Sequence, residues 1–398
     1  MWITVNGKKA TEIEDNTIRR ILEMYPEECL LERDIFVDAF KIDRISFSEL
    51  KNESQKILIP WQMFLLSKQN LNKELDHIEE QREHKFSSKL ISKRKGSGDV
   101  TSKRIIDRLI RQQNFLRTSG KYSINRFCGC LKGMDIDESV RHILTYFEID
   151  RDQMWRYTSK KKALEYLITK VEDKNINVSR GVQANRILPS SKIVPGGVYK
   201  NTSGLVIKDD YVPFVFLPSE INPDEVEGRQ IYTLIYLLVV IGLEEYDYIL
   251  EKDFITKMIQ ISGSTRKLHD ITTNLLMPDS EVEVLKGITV TETVRDTLSN
   301  KLKVTPSAFV VTLLMRKIIS KREYDNLKPS LDIIIRQKAH ARNPLVSTSV
   351  KKFCGELVTR AINQGLANGT LKNVQGQYLI WGMPNKKGML EYRRESKL

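Results

Sequence analysis

The sequence is poor in the residues that staple or metallate a protein. Four cysteines (Cys29, Cys128, Cys130 and Cys354) and five histidines are spread over 398 residues. That is too sparse for a disulfide framework, and only Cys128 and Cys130 lie close together in sequence. A C-x-C pair is at most half of a metal site. No second pair is near it and the closest histidine is His142, so buried free thiols are the expectation and no metal or other cofactor is implied. A reducing cytoplasm fits this cysteine usage. Long apolar runs are also missing. The longest, Ile231–Leu243, falls short of the roughly 20 residues that a membrane-spanning helix needs. The N-terminal stretch MWITVNGKKATEIEDN lacks the apolar core of a signal peptide. No membrane partner is therefore expected. Gly96–Lys103 does not have the spacing of a phosphate-binding P-loop, and no internal repeats are visible.

What the chain does have is size and positive charge. Its length points to two or three domains, and 40% hydrophobic residues suffice for a sizeable core. The formal net charge is +13 and the isoelectric point about 9.3, which suits an acidic partner, nucleic acid first. Most of this charge comes from residues 88–132, where twelve Lys or Arg stand against two Asp. Lys93-Arg94-Lys95 runs into a flexible Gly96-Ser97-Gly98, and Thr101 or Ser102 can cap a helix over Lys103–Leu116. Ile105, Ile106, Leu109 and Ile110 form its apolar stripe, with Lys103, Arg104, Arg108 and Arg111 on the other side and Phe115, Tyr122 and Phe127 just after. Lys93, Arg94, Lys95, Lys103, Arg104, Arg108 and Arg111 are thus the candidate phosphate-contacting set. The same basic surface could instead face an acidic protein or simply be solvated.

In chain order, Trp2–Val5 reads as a strand or hairpin turning at Gly7, and Asn16–Met24 as a helix. Pro60 suits the first turn of an anchoring helix with Trp61, Phe64 and Leu65 on its core face. Residues 66–87 read as a polar helix, and residues 136–175 as helices built on Val140, Ile143, Leu144 and Phe147, then on Leu164, Leu167 and Ile168. Residues 181–218 turn to strand chemistry, from Val198-Tyr199 through Leu205-Val206-Ile207 to Tyr211–Leu217, and Pro213 assigns the last of these to a sheet edge. Arg229–Leu243 reads as a helix buried on nearly all sides. A second core helix should end at Pro278; it carries His269, a lone histidine expected to be a satisfied core or surface group. Thr305 and Pro306 open a further helix packed through Phe309, Val310, Leu313 and Leu314, and a helix passes through Leu357, Val358 and Ile362. The basic tail from Lys386 should be mobile.

Two stretches carry a family resemblance. Arg229 precedes Tyr232-Thr233-Leu234, and Leu275-Leu276-Met277-Pro278 closes the second core helix. These resemble the ImmA/IrrE family of zinc metallopeptidases over roughly residues 180–370. The resemblance implies an α+β fold, mostly helical, with a small antiparallel sheet packed on a central zincin-like helix. The residue pattern gives a helical N-terminal domain over 1–175, and the resemblance implies a peptidase-like core over 176–330 with a helical extension over 331–398. In this register the first zinc-binding His falls on Tyr236, the general-base Glu on Leu237, the second His on Val240 and the third ligand on Thr265. Zinc needs nitrogen, sulfur or carboxylate donors, and a catalytic site needs three of them plus a water. The resemblance therefore implies an inactive pseudo-peptidase of a bacterium or mobile element, acting by binding in phage or prophage regulation or defence. Its partners would be nucleic acid, through the basic segment, or a regulatory or toxin-like protein. A hydrolase with relocated chemistry and a purely protein-binding, antitoxin-like regulator are the alternatives.

Overall fold

The computed structural model describes residues 1–24, 34–57, 59–85, 99–120, 122–181, 202–218, 226–246, 250–251, 263–331, 345–381 and 385–398. Within them the chain opens with β1 (Trp2–Val5), β2 (Lys8–Glu12), α1 (Asp15–Met24), α2 (Asp34–Ile42), β3 (Arg44–Ser46), α3 (Phe47–Ile57), α4 (Lys68–Lys85) and α5 (Asp99–Ser119). Next come α6 (Ile136–Tyr146), α7 (Arg151–Arg156), α8 (Lys160–Glu172), β4 (Asn177–Arg180), β5 (Thr202–Ile207) and β6 (Phe214–Leu217). They are followed by α9 (Val226–Leu243), β7 (Leu250–Glu251), α10 (Ser264–Leu276), α11 (Asp279–Val282), α12 (Glu292–Lys301), α13 (Pro306–Met315) and α14 (Lys321–Leu331). The last helices are α15 (Val346–Cys354), α16 (Glu356–Ala367), α17 (Asn373–Trp381) and α18 (Lys386–Ser396). The fold is α+β and mostly helical.

Packing divides the chain into two units. One gathers Met1–Gln112 and Ile362–Leu398, and the other holds the described residues of Gln113–Ile187 and Pro195–Ala361. Helices from the two ends of the chain thus share one unit. In that first unit β1 pairs antiparallel with β2 and parallel with β3, and Ile3, Ile18, Ile21, Phe36, Leu50 and Phe64 fill the core beside them. The expected helix after Pro60 is a single 3-10 turn over Trp61–Leu65, and Leu65 is 42% exposed rather than in the core. The tail from Lys386, expected to be mobile, forms α18 instead: Asn385 caps it, and Met389 and Tyr392 are buried.

The second unit is built around α9. From Gln230 to Gly242 each of its residues is buried. Helices α8 and α10 and strands β5 and β6 pack on it. The sheet runs β4-β6-β5-β7 and is mixed, not purely antiparallel: β4 pairs parallel with β6, while β5 is antiparallel to β6 and β7. Pro213 lies just before β6, outside the ladder, and its carbonyl accepts a bond from the Asn177 amide at 3.0 Å. So β6, expected at an edge, is an inner strand with all four residues buried. β4 is polar in sequence and ends the sheet, yet Asn177 and Ser179 are buried, because Asn177 Nδ2 donates to the Cys354 carbonyl at 2.9 Å and the Ser179 hydroxyl donates to the Phe353 carbonyl. These bonds satisfy carbonyls that the end of α15 leaves without helical partners.

Close approach of β5 to α9 depends on Gly204. A Cβ there would lie 2.6 Å from Thr233 Cγ2, 2.9 Å from Leu237 Cδ1 and 3.0 Å from the Phe216 carbonyl oxygen. Gly204→Ala is expected to destabilise the protein by about 1–3 kcal/mol through overpacking. Urea unfolding checks this; an unchanged midpoint would contradict the tight sheet–helix contact.

Candidate functional site

Of the positions singled out by the resemblance, Tyr236 meets α10 at His269, whereas Leu237 faces Gly204 of β5. Tyr236, Leu237 and Val240 are each 1% exposed, and Thr265 stands partly exposed in the first turn of α10. One turn on from Thr265, His269 is buried and faces both tyrosines of α9. Its Nδ1 shares a 2.9 Å hydrogen bond with the Tyr232 hydroxyl, and its ring centroid lies 4.9 Å from that of Tyr236. Burial, with a smaller effect from the Arg266 guanidinium, pushes the imidazole down to about 4. Burial also raises the Tyr232 phenol well above its ordinary range. Both groups are therefore neutral at pH 7, as two polar groups closed on each other in an apolar crossing should be. Arg266 is held on the same helix by Asp270, its Nε at 2.8 and 3.0 Å from the two carboxylate oxygens. Among the described residues no group of three His, Cys, Asp or Glu side chains is arranged to hold a metal ion. One buried imidazole against two phenols offers hydrogen bonding, not a hydrolytic centre.

The basic set divides. Lys93, Arg94 and Lys95 lie outside the described residues. Lys103 and Arg104 fall in the first turns of α5, and Arg111 is exposed further along it. Arg108 departs from the expectation: it is 3% exposed, and its Nη1 donates to the Ile380 carbonyl at 3.3 Å. Four residues on, Gln112 Nε2 donates to the Leu379 carbonyl at 2.9 Å. Together they serve the last turn of α17, whose carbonyls have no helical partners and favour a cation. Arg117, also in this basic stretch, lies 3.2 Å from Asp209 and over the Tyr211 ring. Cys128 and Cys130 are half-buried and free, and burial pushes their thiols up to about 12 and about 11. They remain thiols near neutral pH and have no nucleophilic character there.

Sequence reasoning missed a second polar concentration. A cavity of about 390 Å³ opens between α8, β4 and the turn joining α15 to α16, with Glu172 among its lining residues. Glu172 is 8% exposed, and its Oε1 accepts the backbone N–H of Glu356 at 2.8 Å and of Val178 at 3.2 Å. Gly355, at φ +82°, makes the turn that presents the Glu356 N–H, and a Cβ there would lie 2.5 Å from Asn177 Oδ1. Burial raises the Glu172 carboxyl to about 7, against the opposing pull of its two backbone donors and Arg180. The only sequence signal was an acidic residue at the C-terminal end of a helix, where its charge is unfavourable and a partner is required. Compared with protein-family models, with curated proteins and with solved structures, the chain finds no match.

The two shifted groups make opposite contributions to stability. His269 binds its proton less readily when folded, so its contribution is full above pH 6.5 and is lost as the pH falls towards 4. Glu172 binds its proton more readily when folded, so its contribution is full below 4.5 and is lost as the pH rises through 7. Each effect is at most on the order of 3 kcal/mol. Relative to the parent protein, Glu172→Gln is expected to gain stability steadily from pH 4.5 to 7, and His269→Gln to lose less between 6.5 and 4. Urea midpoints across this range check both; parallel pH profiles for parent and variants would contradict the assigned shifts.

Proposed function

We propose that the chain acts by binding rather than by hydrolysis, as a peptidase-like scaffold whose metal site has been replaced by packing. The observation that carries this reading is the chemistry of the α9–α10 crossing. Tyr236, Leu237 and Val240 are buried, none of them a zinc donor, and Thr265 offers a hydroxyl where a carboxylate would be needed. His269 is engaged with Tyr232. A metal bound there would find one imidazole, with the neighbouring Asp270 carboxylate held by Arg266, short of the three donors of a catalytic zinc site.

The partner proposed is nucleic acid, engaged through the basic segment, in regulation or defence associated with phage or prophage. The excess charge of residues 88–132 supports it, as does the exposure of Arg111. Arg108 is withdrawn from the phosphate-binding set, since its guanidinium is committed to α17. Lys93, Arg94, Lys95, Lys103, Arg104 and Arg111 remain.

Metal analysis of the purified protein and the salt dependence of duplex DNA binding test the two halves of this reading. Zinc at one equivalent per chain would contradict the first. For the second, replacing Lys103, Arg104 and Arg111 by Gln is expected to flatten the plot of log affinity against log salt by about 0.9 for each phosphate no longer neutralised. Arg108→Gln is expected to leave that slope unchanged and to lower the unfolding midpoint. An unchanged slope in the triple variant, or no DNA binding by the parent, would overturn the nucleic-acid assignment.

A further inference from the structure

The cavity at Glu172 belongs to neither part of that reading, and its charges are unevenly matched. At its wall Arg180 is neutralised by Glu165, with Nη1 and Nη2 at 2.8 and 3.3 Å from the two carboxylate oxygens. At its rim one carboxylate serves two cations: Glu356 lies 2.7 Å from Lys351 Nζ and 3.5 Å from Arg360 Nη2. Those cations are 63% and 59% exposed, so N–H groups of both remain open to a ligand at the rim. The floor is the reverse. Glu172 Oε1 is occupied by two backbone donors, while Oε2 takes no hydrogen bond from a described residue and is not sealed from the cavity. The remaining acidic group, Asp173, is exposed at the mouth.

We propose that this cavity binds a small zwitterion of the α-amino acid class, its ammonium on Glu172 Oε2 and its carboxylate on the Lys351 and Arg360 rim. A lone anion would meet the floor carboxyl, and a lone cation would leave Lys351 and Arg360 sharing one carboxylate. A molecule carrying both charges a few bonds apart answers both. Charge-assisted hydrogen bonds of this kind are the strong ones, and Arg360 can hold a carboxylate through two N–H groups. A metal ion is disfavoured, since no three acidic side chains among the described residues converge on one point. The volume of about 390 Å³ is that of a small-molecule pocket.

The test is thermal unfolding of the full chain with each of the twenty common L-amino acids in turn, at about 10 mM, followed by calorimetry for any that raises the midpoint. At least one is expected to bind. Its deaminated and decarboxylated analogues are expected to give no shift. Glu172→Gln and Arg360→Gln should each weaken binding by about tenfold or more. The Gln variant retains an oxygen for both backbone donors, and its fold can be confirmed by its own unfolding transition. Three results would overturn the proposal: no amino acid binds, an analogue lacking either charge binds as well as the parent compound, or both variants bind with parental affinity.

Discussion

A helix with no exposed face dictates most of the second unit. From Gln230 to Gly242, α9 has no side in contact with solvent, so every side needs a cover. The sheet covers one face through β5 and β6, α8 and α10 cover others, and Phe127 and Leu131 reach its end at Gly242. Such a helix tolerates few polar groups. A buried hydroxyl without a partner costs about 1–3 kcal/mol, a cost borne at Thr233, whose hydroxyl makes no hydrogen bond with a described residue, and avoided at Tyr232. The pairing of Tyr232 with His269 follows from that cost. The histidine is neutral for the same reason: the surroundings that favour Leu and Val on α9 disfavour a charged imidazole beside them.

Helix ends account for much of the buried polarity elsewhere. Arg108 and Gln112 meet the last carbonyls of α17, Asn177 and Ser179 meet those of α15, and Glu172 accepts the first N–H of α16. In each case a side chain from another element supplies what the helix cannot supply to itself. The partners lie up to 272 residues apart in sequence, as with Arg108 and Ile380. A polar or charged residue used this way is structural despite its type.

That use of polar residues marks the limit of what the sequence makes legible. Local signals were readable: the apolar run of α9, the Thr305 cap with Pro306 behind it, and the hairpin turning at Gly7 all form as their residues require. Signals that depend on a distant partner were not. Arg108 has the sequence context of a solvated basic face, and only α17 makes it a buried cap. β4 is polar at Asn177, Ser179 and Arg180, and only α15 supplies the carbonyls that let Asn177 and Ser179 be buried. Pro213 argued for an edge strand because proline lacks a donor, yet standing one residue outside the ladder it removes nothing from it. The mixed sheet has the same origin, since the parallel pairing of β4 with β6 brings together segments separated by more than thirty residues. Tyr236, Leu237, Val240 and Thr265 stood out in sequence only through the resemblance, and the cavity at Glu172 left almost no trace there.

The capacity of a site to take a ligand scales with the polar valence that the fold leaves unspent. At the α9–α10 crossing little is left: the Tyr232 hydroxyl and His269 Nδ1 are spent on each other, and the side chains around them are apolar. At Glu172 the fold spends one carboxyl oxygen on two backbone donors and leaves the second facing a cavity, beside cations that outnumber the carboxylate holding them. Keeping such a carboxyl buried is unfavourable above neutral pH, as its raised affinity for a proton shows. A purely structural clasp between β4 and α16 could be made by an amide at lower cost, because Gln would accept both N–H groups without ever carrying charge. What the carboxylate adds is the ability to hold a cation, which is the reason to look for function in the cavity as well as along the basic segment.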